Sequence, residues 1–166
     1  MSYHAQFEHW IAAPLEKVFA FFADPINLPG IMPAWLEIRF EEMVVAPPIG
    51  APPYFAGVGT KFVASYRALP FFSFRIRSEA QIVGFAMNEF FSDVQIRGPF
   101  RSWHHRHEFA VENRDGVAGT RVSDRIEYEL ACEPLGRIVN ALFIIPQMRR
   151  TFAYRQKAVE RIFGLR

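Results

Sequence analysis

Residues 98–109 read GPFRSWHHRHEF, a glycine–proline turn followed by a strand of unusual composition. Successive side chains of a strand point to opposite faces. Trp103, His105, His107 and Phe109 therefore share one face, and Ser102, His104, Arg106 and Glu108 share the other. The second set is ordinary solvated surface. The first combines two imidazoles with two large aromatics, which is the composition of a half-polar interior. Histidines turned inward need something to hold, either carboxylates of the chain itself or a ligand.

The next strand supplies such a carboxylate. Asn113-Arg114-Asp115-Gly116 is a hairpin signal, and the strand predicted over residues 120–131 places Asp124 on the same face as Thr120, Val122, Ile126, Tyr128 and Leu130. Its other face is Arg121, Ser123, Arg125, Glu127 and Glu129, almost entirely charged. A carboxylate among apolar neighbours costs several kcal/mol unless it is paired or hydrogen-bonded. A histidine on the adjacent strand is the cheapest partner.

Outward from this pair the pattern predicts further strands over 3–11, 36–41, 58–69, 72–83 and 88–97. Pro14 suits the first turn of a helix, and Leu15, Val18, Phe19 and Phe22 at spacings of three and four carry that helix to about residue 23. Asp24-Pro25 ends it and begins a second short helix. Residues 46–57, APPIGAPPYFAG, hold four prolines and two glycines and read as a long loop of the kind that forms lids. After Pro134 a long helix is predicted to about residue 163, with Leu135, Ile138, Leu142, Ile145, Phe152, Val159 and Ile162 as its apolar stripe. Pro146 inside it predicts a kink. The order is strand, two short helices, six strands, long helix. An antiparallel run of strands needs its apolar face covered, and the last helix is the natural cover.

Composition bounds the rest. The 166 residues suit one domain, 1–166, with 51% hydrophobic and 22% charged residues, an ordinary globular balance. Phenylalanine occupies 18 positions, enough for the wall of an apolar cavity or for a dense aromatic core. A net charge of +2 without a concentrated basic run argues against nucleic acid. One cysteine, Cys132, excludes an intrachain disulfide and a cysteine-based metal site. The amino terminus lacks a signal-peptide pattern and no stretch is long enough for a membrane span, so a cytoplasmic protein is expected. Gly57-Val58-Gly59 lacks the lysine and helix of a phosphate loop, and no Gly-x-Ser-x-Gly elbow exists.

Four segments carry a family resemblance: PLEKVFAFFADPINLPGIMPAWL from Pro14, FSDVQIRGPFRSWHHRHEF from Phe91, GTRVSDRIEYEL from Gly119, and PLGRIVNALF from Pro134 with FAYR from Phe152. Together they resemble the START-like, or SRPBCC, superfamily, and within it a bacterial group of ligand-binding proteins related to polyketide cyclases and dehydratases. The resemblance implies an α+β helix-grip fold: a curved seven-stranded antiparallel sheet wrapped around a long C-terminal helix, with two short helices after the first strand. It also implies a deep cavity for an apolar or amphipathic molecule, and it brings Asp93 and Gln95 into phase with Phe91. Pro146 departs from the family pattern.

Three readings follow. The inward histidines and Asp124 form a structural network in a filled core, the chain acting as a non-catalytic interaction protein. Alternatively they are the polar end of a pocket for a lipid, a quinone or an aromatic, polyketide-like molecule. Or they are a metal site or a catalytic set: His105-x-His107 has a spacing that can bind zinc with Asp124 as third ligand, and His105, His107 and Asp124 are the candidates for a cyclase or dehydratase. The pocket reading takes Phe62, Tyr66, Phe74, Ile76, Phe91, Trp103, Phe109, Tyr128, Leu142 and Phe152 as walls, and Asp93, His105, His107 and Asp124 as the polar end. Its mouth is expected near the proline-rich loop and the turn at 69–72. No cofactor or metal is expected on that reading. Monomer and homodimer are both open, as is peripheral membrane contact through apolar loop tips.

Overall fold

The computed structural model describes residues 1–67, 74–131 and 135–164. The expected turn at 69–72, Cys132 and the Glu133-Pro134 step lie outside the described residues. Strand β1 (Ser2–Ile11) leads into helix α1 (Leu15–Ala23), a 3-10 turn at Pro25–Asn27, helix α2 (Leu28–Ile31) and a second 3-10 turn at Ala34–Leu36. Strands β2 (Arg39–Val44), β3 (Lys61–Tyr66), β4 (Ile76–Ala86), β5 (Phe90–Arg97), β6 (Ser102–Arg114) and β7 (Val117–Glu129) follow. The chain then forms helix α3 (Leu135–Val139), a π turn at Asn140–Ile144 and helix α4 (Ile145–Ile162).

All seven strands join one antiparallel sheet in the order β1-β7-β6-β5-β4-β3-β2. The first strand therefore pairs with the last. The β6–β7 hairpin turns on Asp115 at φ 50° and Gly116 at φ 80°, the positive values that a two-residue turn of this kind requires. Register shifts put an extra residue in β2 between Phe40 and Glu42, in β4 between Ile82 and Gly84, and in β5 between Gln95 and Arg97. An extra residue bends its strand and increases the local twist, so the β2–β4 side of the sheet curls toward α4.

Two apolar clusters hold the ends of this grip. At one end Phe19 of α1, fully buried, meets the edges of Phe109 at 5.1 Å and Phe85 at 5.5 Å between ring centroids. Burying such a side chain is worth about 1.5–3 kcal/mol. At the other end Tyr128 packs against Tyr3, Phe100 and Trp103. Helix α4 closes over the sheet through Phe152, whose ring stacks on Phe7 at 4.1 Å, and through Gln156, whose Nε2 donates to the Glu8 carbonyl at 3.0 Å.

Three expectations are corrected. The strand predicted from residue 36 starts at Arg39, because Leu36 ends a 3-10 turn and Glu37 takes φ 43°. The proline-rich loop is pinned rather than free: Phe55 is buried beside Phe19, and the Ala56 N–H donates to the Ala23 carbonyl at 2.9 Å. At Pro146 the helix absorbs the missing donor with the π turn, where the Ile145 N–H reaches back to the Asn140 carbonyl. One inserted residue rotates what precedes it by about 100°. Ile138 and Leu142 consequently face solvent instead of continuing the stripe of Phe152 and Val159.

The closure of β1 on β7 depends on a missing side chain. A Cβ at Gly119 would sit 2.5 Å from the Ile11 carbonyl oxygen and 2.5 Å from the Trp10 ring. Gly119→Ala should destabilise the fold by about 1–3 kcal/mol, read as a lowered urea midpoint with an unchanged slope.

Candidate functional site

Between the curled sheet and α4 lies a cavity of about 630 Å³, within the roughly 300–1,000 Å³ of small-molecule sites. The interior is not filled. Small residues keep it open: Ala64 of β3 and Ser78 and Ala80 of β4 line it where larger side chains would close it. Apolar walls come from Ile31, Leu36, Phe62, Tyr66, Ile76 and Ile82, and Trp103 and Phe152 border the polar end.

Pairing register assembles that end. His105 of β6 stands opposite Asp93 of β5, and His107 of β6 stands opposite Phe91 on one side and Asp124 of β7 on the other. Asp124, 2% exposed, sits behind the imidazoles. Its Oδ1 accepts from His105 Nε2 at 3.0 Å. His107 Nδ1 lies 2.7 Å from the same oxygen but off the line of a straight N–H···O bond. His105 Nδ1 is 3.7 Å from Asp93 Oδ2, too long for a hydrogen bond.

The charges follow from burial and partners. Desolvation pushes the Asp124 carboxyl up, but the attraction of His107, the hydrogen bond from His105 and the close His107 contact outweigh it and hold the group well below the usual carboxylate range. Desolvation lowers His105 and His107 against the pull of Asp124, so both are neutral near pH 7. An ionised Asp124 only accepts, so it draws the His105 proton to Nε2 and the His107 proton to Nδ1. The other nitrogen of each ring is left as a lone pair, the state in which an imidazole takes up a proton as a general base. Burial also raises Asp93. His9 of β1, lowered by burial to about 4, has no hydrogen-bond partner for its Nε2 among the described residues.

Of the residues expected to face a ligand, Phe62, Tyr66, Ile76, Phe91, Asp93, Trp103, His105, His107 and Phe152 line the cavity. Five expected residues stand elsewhere. Leu142 is 64% exposed because the π turn changes its phase. Phe74 is 59% exposed and precedes the first residue of β4, so strand alternation does not orient it. Phe109 and Tyr128 point inward but belong to the two packed ends. Asp124 is screened by the histidines. Gln95 lines the cavity while its Nε2 donates to the Phe100 carbonyl at 2.7 Å, bracing the turn before β6. Among the lining residues not anticipated are Gln147, Thr151 and Arg155 of α4. Their spacing of four along the terminal helix was the available signal.

No protein-family model matches the chain, and no curated protein matches it. Solved structures do. TTHA0849 from Thermus thermophilus aligns at TM-score 0.65 and 19% identity over 96% of each chain. A START superfamily protein from Mycobacterium smegmatis aligns at TM-score 0.65 and 12% identity over 97% of each chain. Ginseng major latex-like protein 151 from Panax ginseng aligns at TM-score 0.56 and 14% identity, over 90% of this chain and 96% of that one. The chain has the START-like helix-grip fold that the resemblance implied. Among the described residues no helix is long and apolar enough to cross a membrane.

The raised pKa of Asp93 has a sign. Its contribution to stability is fully present below the unfolded value of 3.8 and is lost as pH rises through the raised folded value. Asp93→Asn should therefore stabilise the protein near pH 8, where the natural carboxylate is ionised against its burial. The gain should shrink toward pH 4, a difference that urea unfolding at the two pH values measures.

Proposed function

We propose that this chain binds one hydrophobic or amphipathic small molecule, of lipid, quinone or aromatic type, in the cavity between the sheet and α4. The observation that carries this reading is the cavity itself, about 630 Å³ of space walled by apolar side chains and ended by a convergent polar set. Ligand sites have that composition, a mostly apolar wall with a few polar groups that fix orientation. The START-like fold supports it as an architecture that wraps a sheet around a helix with room between them.

The wall shows how the space is kept. Ala80, buried on β4 opposite Phe62, faces the void with a single methyl group. A larger side chain there would occupy ligand space rather than displace packed neighbours. A neutral naphthylamine dye, which brightens in apolar surroundings, should bind the natural chain with one-to-one stoichiometry. Ala80→Phe should weaken that binding at least about tenfold, a loss of about 1.4 kcal/mol, while the melting temperature holds. Full dye affinity in a folded Ala80→Phe protein would place the dye elsewhere and overturn the reading.

A further inference from the structure

Helix α4 turns a row of polar side chains toward the cavity. Gln147, Thr151 and Arg155 recur every fourth residue and so stack along one face of the helix, and all three line the void. A buried cation in such a stripe needs an acceptor, and the described residues supply none to Arg155. Arg155 is only 8% exposed. Among the described residues its guanidinium makes no hydrogen bond and no ion pair, and it lies 4.8 Å from the centroid of the Phe152 ring. Gln147 Nε2 is buried without a partner as well.

The nearby carboxylates, Asp93 and Asp124, attract Arg155 through space, but neither makes a hydrogen bond or close ion pair with its fork. Asp124 holds His105 and His107, and Asp93 leans toward His105. A guanidinium carries five donors in a planar fork and keeps its charge at every pH a protein survives. Leaving that fork unused in a buried place is costly. Its acceptor therefore comes with the ligand.

We infer that the ligand is an amphipathic monocarboxylic acid, its carboxylate paired with Arg155 and its apolar body lying along the cavity toward the β2–β4 wall. This rests on the reading of the cavity as a ligand site. The head is single because one planar guanidinium offers one bidentate carboxylate site. His105 and His107, kept neutral by burial, add no positive charge near pH 7. The planar fork matches a carboxylate through two parallel N–H···O bonds, and Thr151 stands one helical turn away with a hydroxyl. Gln147 lies about 12 Å further along the helix axis, beyond reach of the same carboxylate. A metal ion is the competing occupant, since Asp93, His105 and His107 offer ligand atoms within 4.8 Å of one another. The Arg155 charge, felt by both Asp93 and His107, opposes a cation there.

The test is displacement of the neutral naphthylamine dye near pH 7.5 by two molecules that differ only at the head, dodecanoic acid and dodecanol. The acid should displace the dye at about a tenfold or more lower concentration than the alcohol, as a charge-assisted pair predicts. In Arg155→Met the ratio should collapse to about threefold or less, and Arg155→Lys should keep part of it. Equal displacement by acid and alcohol in the natural chain overturns the inference without any variant and leaves the cavity standing. A preference for the acid that survives in Arg155→Met overturns it too, by moving the charge reader elsewhere. Failure of both molecules against a bound dye likewise removes the monocarboxylic acid. A dye that does not bind at all removes the cavity reading and this inference with it.

Discussion

Asp124 places one oxygen 3.0 Å from His105 Nε2 and 2.7 Å from His107 Nδ1, and the polar end of the cavity depends on that shared contact. The two histidines lie two residues apart on β6, so a single carboxylate on β7 reaches both only in one register. Slipping β7 by one residue would turn Asp124 to solvent and bring the charged row of Arg125 and Glu127 inward. The interaction thus fixes register in the middle of the sheet. It also fixes the charge state, because two neutral imidazoles shield an ionised carboxylate that would otherwise face apolar space.

Around this centre the chain separates packing from emptiness. Its phenylalanines gather largely at the α1 end, where Phe19, Phe85, Phe91 and Phe109 interlock, while Tyr128, Trp103 and Phe100 close the far end. Alanine and serine stand between, on β3 and β4. Bulges in β2 and β4 curl the sheet, so these short side chains face space and not α4. A dense core and a cavity therefore coexist in one domain. Stability comes from the closed ends, which leaves the middle free for a ligand.

Much of this was legible in the residues. The alternation in WHHRHEF and the apolar phase of β7 put His105, His107 and Asp124 on one interior face, because a period of two leaves little freedom once one face is buried. Asp115-Gly116 marked the hairpin for the same local reason. Helical phase was less secure. The apolar run through Leu142 was read with an unbroken period, and the π turn before Pro146 moves that residue to the surface. Alternation likewise failed at Phe74, which precedes β4. Arg155 and Gln147 were hidden because polar residues on a terminal helix ordinarily face water, and only the position of α4 over an open cavity turns them inward. The aromatic residues gave no signal of volume, since a packed core and a hollow one use the same side chains. The decisive positions were the small ones, Ala64 and Ala80.

Intermolecular NOEs between the neutral naphthylamine dye and the methyl groups of this chain, recorded on isotope-labelled protein, test the central claim most directly. The account predicts contacts to Ile31 of α2, to Leu36 of the turn before β2, and to Ile76 and Ile82 of β4, all of which line the cavity. It predicts none to the exposed methyls of Ile138 and Leu142, which do not line the cavity. Contacts confined to that exposed group would contradict it, because the dye would then sit on the outside of the α3 region with the cavity unused.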